Sequence, residues 1–405
     1  MTVRFCLGWL LLPFLISCTS YKKLHQEAVV IDTHNDVLSG AIMKGLSIED
    51  DLRGKAHSDF TRFRHGGVDI QVFSVFCDEH YGKGKAFREA NEQIDALEAV
   101  AQRNPDKMIL VKSPGQLQMA LRQQKLGAII GVEGGHMIED NLEHLDHLYN
   151  RGARYLTLTW NNSTSWASSA MDEAGTSFMG TKKKDSLTHK GLNDFGRQVV
   201  RRMNELGMMV DVSHLGEQSF WDVMKVTTKP IIASHSCTQA LCPIFRNLTD
   251  EQIRAIGKND GVVFLNFFSG FVDSSFMHRL GQFRDLHKKE VDSLEALKRS
   301  GHEVAEYLAA TYPQEYGALR PPLSLLMDHL DHVVKLAGVD HVGLGSDFDG
   351  VTSTPKGLDD VASFPLITQA LRKRGYNKKE IKQILGENFI RVFRANALAK
   401  PTATR

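Results

Sequence analysis

Three polar side chains at alternating positions close an apolar run in VVIDTHNDV, residues 29–37: Asp32, His34 and Asp36. In an extended chain residues 32, 34 and 36 share a face, which Val30 continues backwards. A carboxylate, an imidazole and a carboxylate are thereby aimed at one spot. Taken alone, the pattern also describes a strand running into an Asp/Asn-rich turn. It gains meaning because similar groups end other apolar runs: Glu133 in GVEGG, His214 in DVSH, His235 in IIASHS, and Asp347 and Asp349 in GSDFDG. Three imidazoles and several carboxylates gathered in one place repel one another unless a cation lies between them. Mixed nitrogen and carboxylate donors suit Zn²⁺, with Mn²⁺ or Fe²⁺ as lesser possibilities. A single catalytic zinc takes about three protein ligands, so this surplus of donors points to a two-metal site with one bridging carboxylate.

The elements that must position these groups can be counted. β-rich runs lie at 28–36, 68–76, 127–135, 154–160, 208–214, 229–236, 261–268 and 341–350. Amphipathic stretches separate them, among them KAFREANEQIDALEAVAQR, LNDFGRQVVRRMNELG, TDEQIRAIGKN and LSLLMDHLDHVVKLAG, with apolar residues at three- and four-residue steps. Strand and helix in alternation imply parallel strands with right-handed crossovers. Eight such units predict an α/β fold, a single (β/α)8 TIM-type barrel, whose strand ends meet at one mouth. No G-x-G-x-x-G turn follows the first run to favour an open doubly wound sheet. Residues 269–320 carry no good strand and read as a helical insertion of one or two charged helices before the last strand: a lid, a homodimer contact or a solvated excursion. A helix pair within 351–396 closes the barrel. His136, His189, His329 and His332 fall off the strand ends and are read as structural.

The chain of 405 residues has 42% hydrophobic and 24% charged residues and a formal net charge of +1. No basic footprint for nucleic acid is present, so the expected partners are small molecules. Residues 1–17 have the layout of an export signal, too short to span a bilayer. Their ending, Leu15-Ile16-Ser17-Cys18, resembles the bacterial lipoprotein box. That resemblance implies lipidation at Cys18, a membrane anchor, a location in the bacterial cell envelope, and a tether over 18–27 before a domain at 28–396 and a tail at 397–405. Cys77, Cys237 and Cys242 remain; a bridge among them and buried thiols are both open, and no Cys-x-x-Cys pair suggests a thiolate metal site.

DTHND at 32–36, GVEGG at 131–135, RYLTLTWNN at 154–162, DVSH at 211–214, IIASHS at 231–236, Arg246-Asn247 and GSDFDGV at 345–351 together resemble the membrane (renal-type) dipeptidase family, peptidase family M19. The resemblance runs in order from about residue 28 to 395. It implies a binuclear zinc barrel that hydrolyses dipeptides and tolerates a D-residue at the second position. By motif, His34 and Asp36 correspond to ligands of one zinc, His214 and His235 to ligands of the other, and Glu133 to the bridge. Arg246 falls where the family binds the substrate carboxylate, and Asp347 where it places a carboxylate beside the metals. One position departs: Trp160 stands where vertebrate members have a His that holds the substrate carbonyl oxygen. Polarisation then falls on the zinc ions, or on Asn161 or Asn162, and Trp160 shapes the pocket wall.

The expected mechanism is attack by a hydroxide bridging two zinc ions about 3.5–4 Å apart. Asp347, rather than Asp349, moves the proton to the leaving amine, and Arg246 grips a free C-terminus through its planar fork. Asp32, one pleat deeper, orients the ligands from behind. Another binuclear amidohydrolase, acting on a cyclic amide, lactone or phosphoester, usually opens with His-x-His and uses a lysine bridge. A non-catalytic ligand-binding lipoprotein would have broken ligands, whereas all five stand intact.

Overall fold

Short β-branched runs and the amphipathic segments between them become strands and helices in turn. The computed structural model describes residues 21–398 apart from 179, 181, 183–186 and 188. The strands are β1 (Val30–Asn35), β2 (Val68–Phe76), β3 (Met108–Leu110), β4 (Leu126–Glu133), β5 (Ala153–Thr157), β6 (Met209–Asp211), β7 (Ile232–Ala233), β8 (Val262–Leu265) and β9 (Val342–Leu344). All pair in parallel, in the order β1-β2-β4-β5-β6-β7-β8-β9. The circuit nearly closes where Asn35 bridges Phe348 and Asp347 N donates to His34 O at 3.0 Å. This is the expected eight-stranded barrel. The addition is β3, which pairs only with β4 outside the circuit; three residues are too short to show an alternation in sequence.

Alternate strand residues fall into two apolar clusters. Val30, Phe73, Val75, Ile130, Val132, Val210, Val263 and Leu344 belong to the large layer between strands and helices. Ile31, Ile70, Val72, Ile129, Tyr155, Met209, Ile232, Val262 and Phe264 form a smaller inner cluster with Phe389 and Phe393 of the last helix, Asn388–Asn396. Farther along the same inward-facing rows come Gly131, Glu133, Thr157, Asp211, Ser234 and Asn266, so the interior turns from apolar to polar towards the mouth.

Three expectations change. The insertion between β8 and β9 holds five short helices, Ser269–Val272, Phe276–Leu286, Lys288–Ala296, Gly301–Thr311 and Pro313–Leu319. The last four enclose a small core of their own around Phe276, Leu280, Phe283, Val304, Leu308 and Tyr316, so the segment is more than a solvated excursion. Residues 21–27, expected to be tether, are helical, with Tyr21, Leu24 and His25 buried. The His25 ring bonds Thr368 Oγ1 at 2.7 Å and Gly66 O at 2.8 Å, which pins this helix to the barrel. The runs at 208–214 and 229–236 are strands only over Met209–Asp211 and Ile232–Ala233. Cys18, the signal segment and residues 399–405 lie outside the described residues. No described helix is long and apolar enough to cross a membrane.

Candidate metal centre

Glu133 ends β4 with its carboxylate buried, and its two oxygens face different partners. Oε1 lies 2.9 Å from His214 Nε2 and 3.4 Å from His235 Nε2; Oε2 lies 3.2 Å from His34 Nε2. His34 Nε2 is in turn 3.5 Å from Asp36 Oδ2. Two donor sets, His34–Glu133–His235 and His34–Asp36–Asp347, have ligand atoms within 4.8 Å of one another. Of the strand-end groups named from sequence, His34, Asp36, Glu133, His214, His235 and Asp347 thus converge.

The backbone achieves this by leaving the strands abruptly. His214 and Asp347 have φ of 64° and 62°, left-handed values rare for residues with a side chain. Strand alternation therefore does not extend to them, although they reach the same mouth. Gly350 is required beside them: a Cβ there would fall 2.1 Å from Asp36 Oδ2 and 2.6 Å from Asp347 Oδ1. Asn266, past the end of β8, donates to Asp347 Oδ2 at 2.8 Å. Asp32 works through the backbone rather than the rings. It accepts from Ser346 N at 2.7 Å, Ser346 Oγ at 2.6 Å and His34 N at 3.4 Å, tying the ends of β1 and β9.

Hydrogen-bond direction fixes where the protons are. The Ser234 hydroxyl donates to Asp211 Oδ2 at 2.5 Å, so it accepts from His235 Nδ1 at 2.8 Å. His214 Nδ1 faces the carbonyl oxygen of Asn161 at 3.1 Å, which only accepts. Both rings therefore present bare Nε2 lone pairs, 3.0 Å apart, to Glu133 Oε1. Burial, with the nearby Arg246 charge, pulls the His214 pKa down to about 3; burial and the charge on His34 hold His235 well below the usual imidazole value. Burial opposes ionisation of Glu133, but the charge on His34 keeps it well below the usual carboxylate range. Three electron-pair donors without a proton among them need a cation. On the other side His34 Nε2 and Asp36 Oδ1 are buried without hydrogen-bond partners.

His34 and Asp347 behave differently. Burial opposes a charge on His34, but Tyr155, Glu133 and Asp36 outweigh it, and the pKa rises well above normal. Burial raises Asp347 well above its usual range; His34 opposes the rise and the charges of Asp36 and Glu133 add to it. Arg246 is 3% exposed. It donates to Ser236 Oγ at 3.4 Å and His235 O at 3.3 Å, while Nε has no partner. Burial lowers its pKa to about 10, so it stays cationic at neutral pH, with no carboxylate in ion-pair range among the described residues.

Other expectations shift. Trp160 is half-buried, its ring 4.9 Å from Phe76 and 6.4 Å from His214, which makes it wall beside the centre. Asn161, read as a substrate contact, holds the His214 ring. Asn162, read the same way, turns its amide to Ser163 O at 3.3 Å because the chain bends sharply after β5. Asp349 Oδ1 accepts from His57 N at 2.6 Å while Asp349 N donates to His57 Nδ1 at 2.9 Å, a clasp that takes it out of the convergence. His136, His329 and His332 bond Cys77 O, Val272 O and Asp250 at 3.0, 3.0 and 2.7 Å. Cys77, Cys237 and Cys242 are free and buried, and burial pushes their thiols up. Sequence reading missed Tyr155, Asp211, Ser234 and Asn266; the available signal was a polar group at an inward position of an apolar strand.

A (β/α)8 barrel with imidazoles and carboxylates converging at its C-terminal mouth defines a metal-dependent hydrolase. The sequence profile of membrane dipeptidase, peptidase family M19, matches residues 19–405, and the chain belongs to that family: it is a hydrolase of the dipeptidase class. Solved structures share the fold. The probable dipeptidase PvdM from Pseudomonas aeruginosa is 24% identical, with 94% of this chain and 98% of that one covered and a TM-score of 0.75. A dipeptidase of family M19 is 24% identical, with 92% and 99% covered and a TM-score of 0.73. A metallopeptidase from Rhodobacter sphaeroides, liganded with a phosphinate mimic of the dipeptide L-Ala-D-Ala, is 23% identical, with 91% and 99% covered and a TM-score of 0.70.

Proposed function

We propose that this protein is a two-zinc dipeptidase accepting dipeptides with a D-residue at the C-terminal position. The observation that carries the reading is one carboxylate, Glu133, split between two donor sets beside an unpaired buried guanidinium. His34, Asp36 and Glu133 Oε2 are suited to hold one ion; His214, His235 and Glu133 Oε1 the other. Zn²⁺ bound there lowers the pKa of water and polarises a carbonyl. Arg246 pairs the free carboxylate of the substrate and thereby excludes chains extended at that end. Asp347, with one oxygen held by Asn266 and the other turned towards Asp36, takes a proton from water and returns it to the leaving amine. Trp160 and Phe76 form an apolar wall. Acceptance of a D-residue is supported by the mimic bound to the Rhodobacter relative.

Metal analysis with a panel of L-Ala-D-Ala and L,L-dipeptides tests this. About two zinc ions per chain and hydrolysis of both classes are expected; a chain that holds no metal, or that leaves every dipeptide intact, refutes it. Trp160→His should change turnover without changing zinc content, and an unchanged rate would make the position wall alone. We also propose export and a lipid on Cys18; Cys18→Ala should release the protein from the membrane fraction.

A further inference from the structure

Tyr155 lies deeper in the barrel than the groups assigned so far and is fully buried. Its ring fills the space left by Gly131, where a Cβ would fall 2.1 Å from the ring. The hydroxyl donates to Thr33 O at 3.1 Å and stands 2.8 Å from His34 Nδ1. A phenol near neutral pH has one proton, and a backbone carbonyl only accepts. With that proton on Thr33 O, the phenol oxygen must receive N–H from His34 Nδ1. Nε2, once any proton on it gives way to a metal, then directs its lone pair to the side of Asp36 Oδ2 and Glu133 Oε2.

We propose that Tyr155 is a positioning residue that fixes the tautomer of His34 and so sets the metal affinity of the His34–Asp36 half of the centre. The inference rests on the two-metal reading. It is selective by construction, because the other half is held by different groups, Asn161 on His214 and Ser234 with Asp211 on His235. Losing such a support costs about 10–100-fold in metal affinity.

Tyr155→Phe keeps the ring against Gly131 and removes only the hydroxyl. Chelator-competition titration of the full chain with Zn²⁺ should show one binding step weakened by about 10–100-fold and the other nearly unchanged, whereas Asn161→Ala should weaken the opposite step. Both steps unchanged in Tyr155→Phe, or both weakened alike as packing damage would do, overturns the inference. A second measurement does not depend on the Tyr155 variant folding: imidazole ¹⁵N resonances of His34 in the zinc-loaded wild type, assigned against His34→Gln, should show a protonated Nδ1. A bare Nδ1 overturns the role of Tyr155 while leaving the two-metal reading standing. A wild-type chain that takes up no Zn²⁺ overturns both.

Discussion

Two His–Glu pairs in this molecule have similar contact distances and opposite meanings. His214 Nε2 and Glu133 Oε1 are 2.9 Å apart at the barrel mouth, with side chains 7% and 5% exposed. His302 Nε2 and Glu306 Oε1 are 3.2 Å apart on the insertion helix Gly301–Thr311, 40% and 51% exposed. On the helix, water solvates both partners and the pair adds little. At the mouth the same groups are stripped of water and joined by further donors, so their energy is satisfied only by a cation. Contact does not distinguish a site from a surface; burial together with convergence does.

The sharpest test is Glu133→Gln, which keeps shape and removes the shared charge. A loss of about a thousandfold or more in kcat/KM is expected, roughly 4 kcal/mol, together with loss of bound zinc by elemental analysis; native turnover would erase the contrast. Asp69 separates burial from convergence, because it is a mostly buried carboxylate that, among the described residues, accepts only from Val30 N, at 2.9 Å, away from the mouth. Burial raises its pKa from 3.8 to about 6, so the folded chain holds that proton more tightly than the unfolded chain does. Its stabilising contribution is full below the unfolded value and falls as pH rises through about 6, by up to about 3 kcal/mol. Denaturation of wild type against Asp69→Asn across that window should show a difference that varies with pH; parallel curves would mean Asp69 does not titrate there. Arg246→Lys should raise KM by about 10–100-fold with a smaller effect on kcat, because the fork is lost while the charge remains. At the other extreme, His302→Ala should alter stability by no more than about 0.5 kcal/mol and leave hydrolysis unchanged.

Strand count, order and mouth were legible because hydrophobic periodicity and the polar groups ending each run are local properties. So were His34, Asp36, Glu133, His214, His235 and Asp347 as a convergent group. The route taken by His214 and Asp347 was not: both leave the strand in a left-handed conformation that residue type does not announce. Asn161 looked like a substrate contact because it sits next to the wall residue Trp160, but its direction is decided by the His214 ring beyond the neighbouring strand β6. Tyr155 looked like ordinary core, since only the polarity of its hydroxyl and the gap at Gly131 distinguish it. The insertion showed its charges in sequence but not the small core that they surround.

The helix at 21–27 gives the molecule an orientation. His25 fastens it to Gly66, just before β2, and to Thr368, at the pole where the strands begin. The mouth opens at the other pole, beyond the strand ends. A lipid on Cys18, just ahead of Tyr21, would moor the barrel by its closed base and leave the opening facing away from the bilayer, where diffusing peptides meet it without crossing the lipid surface.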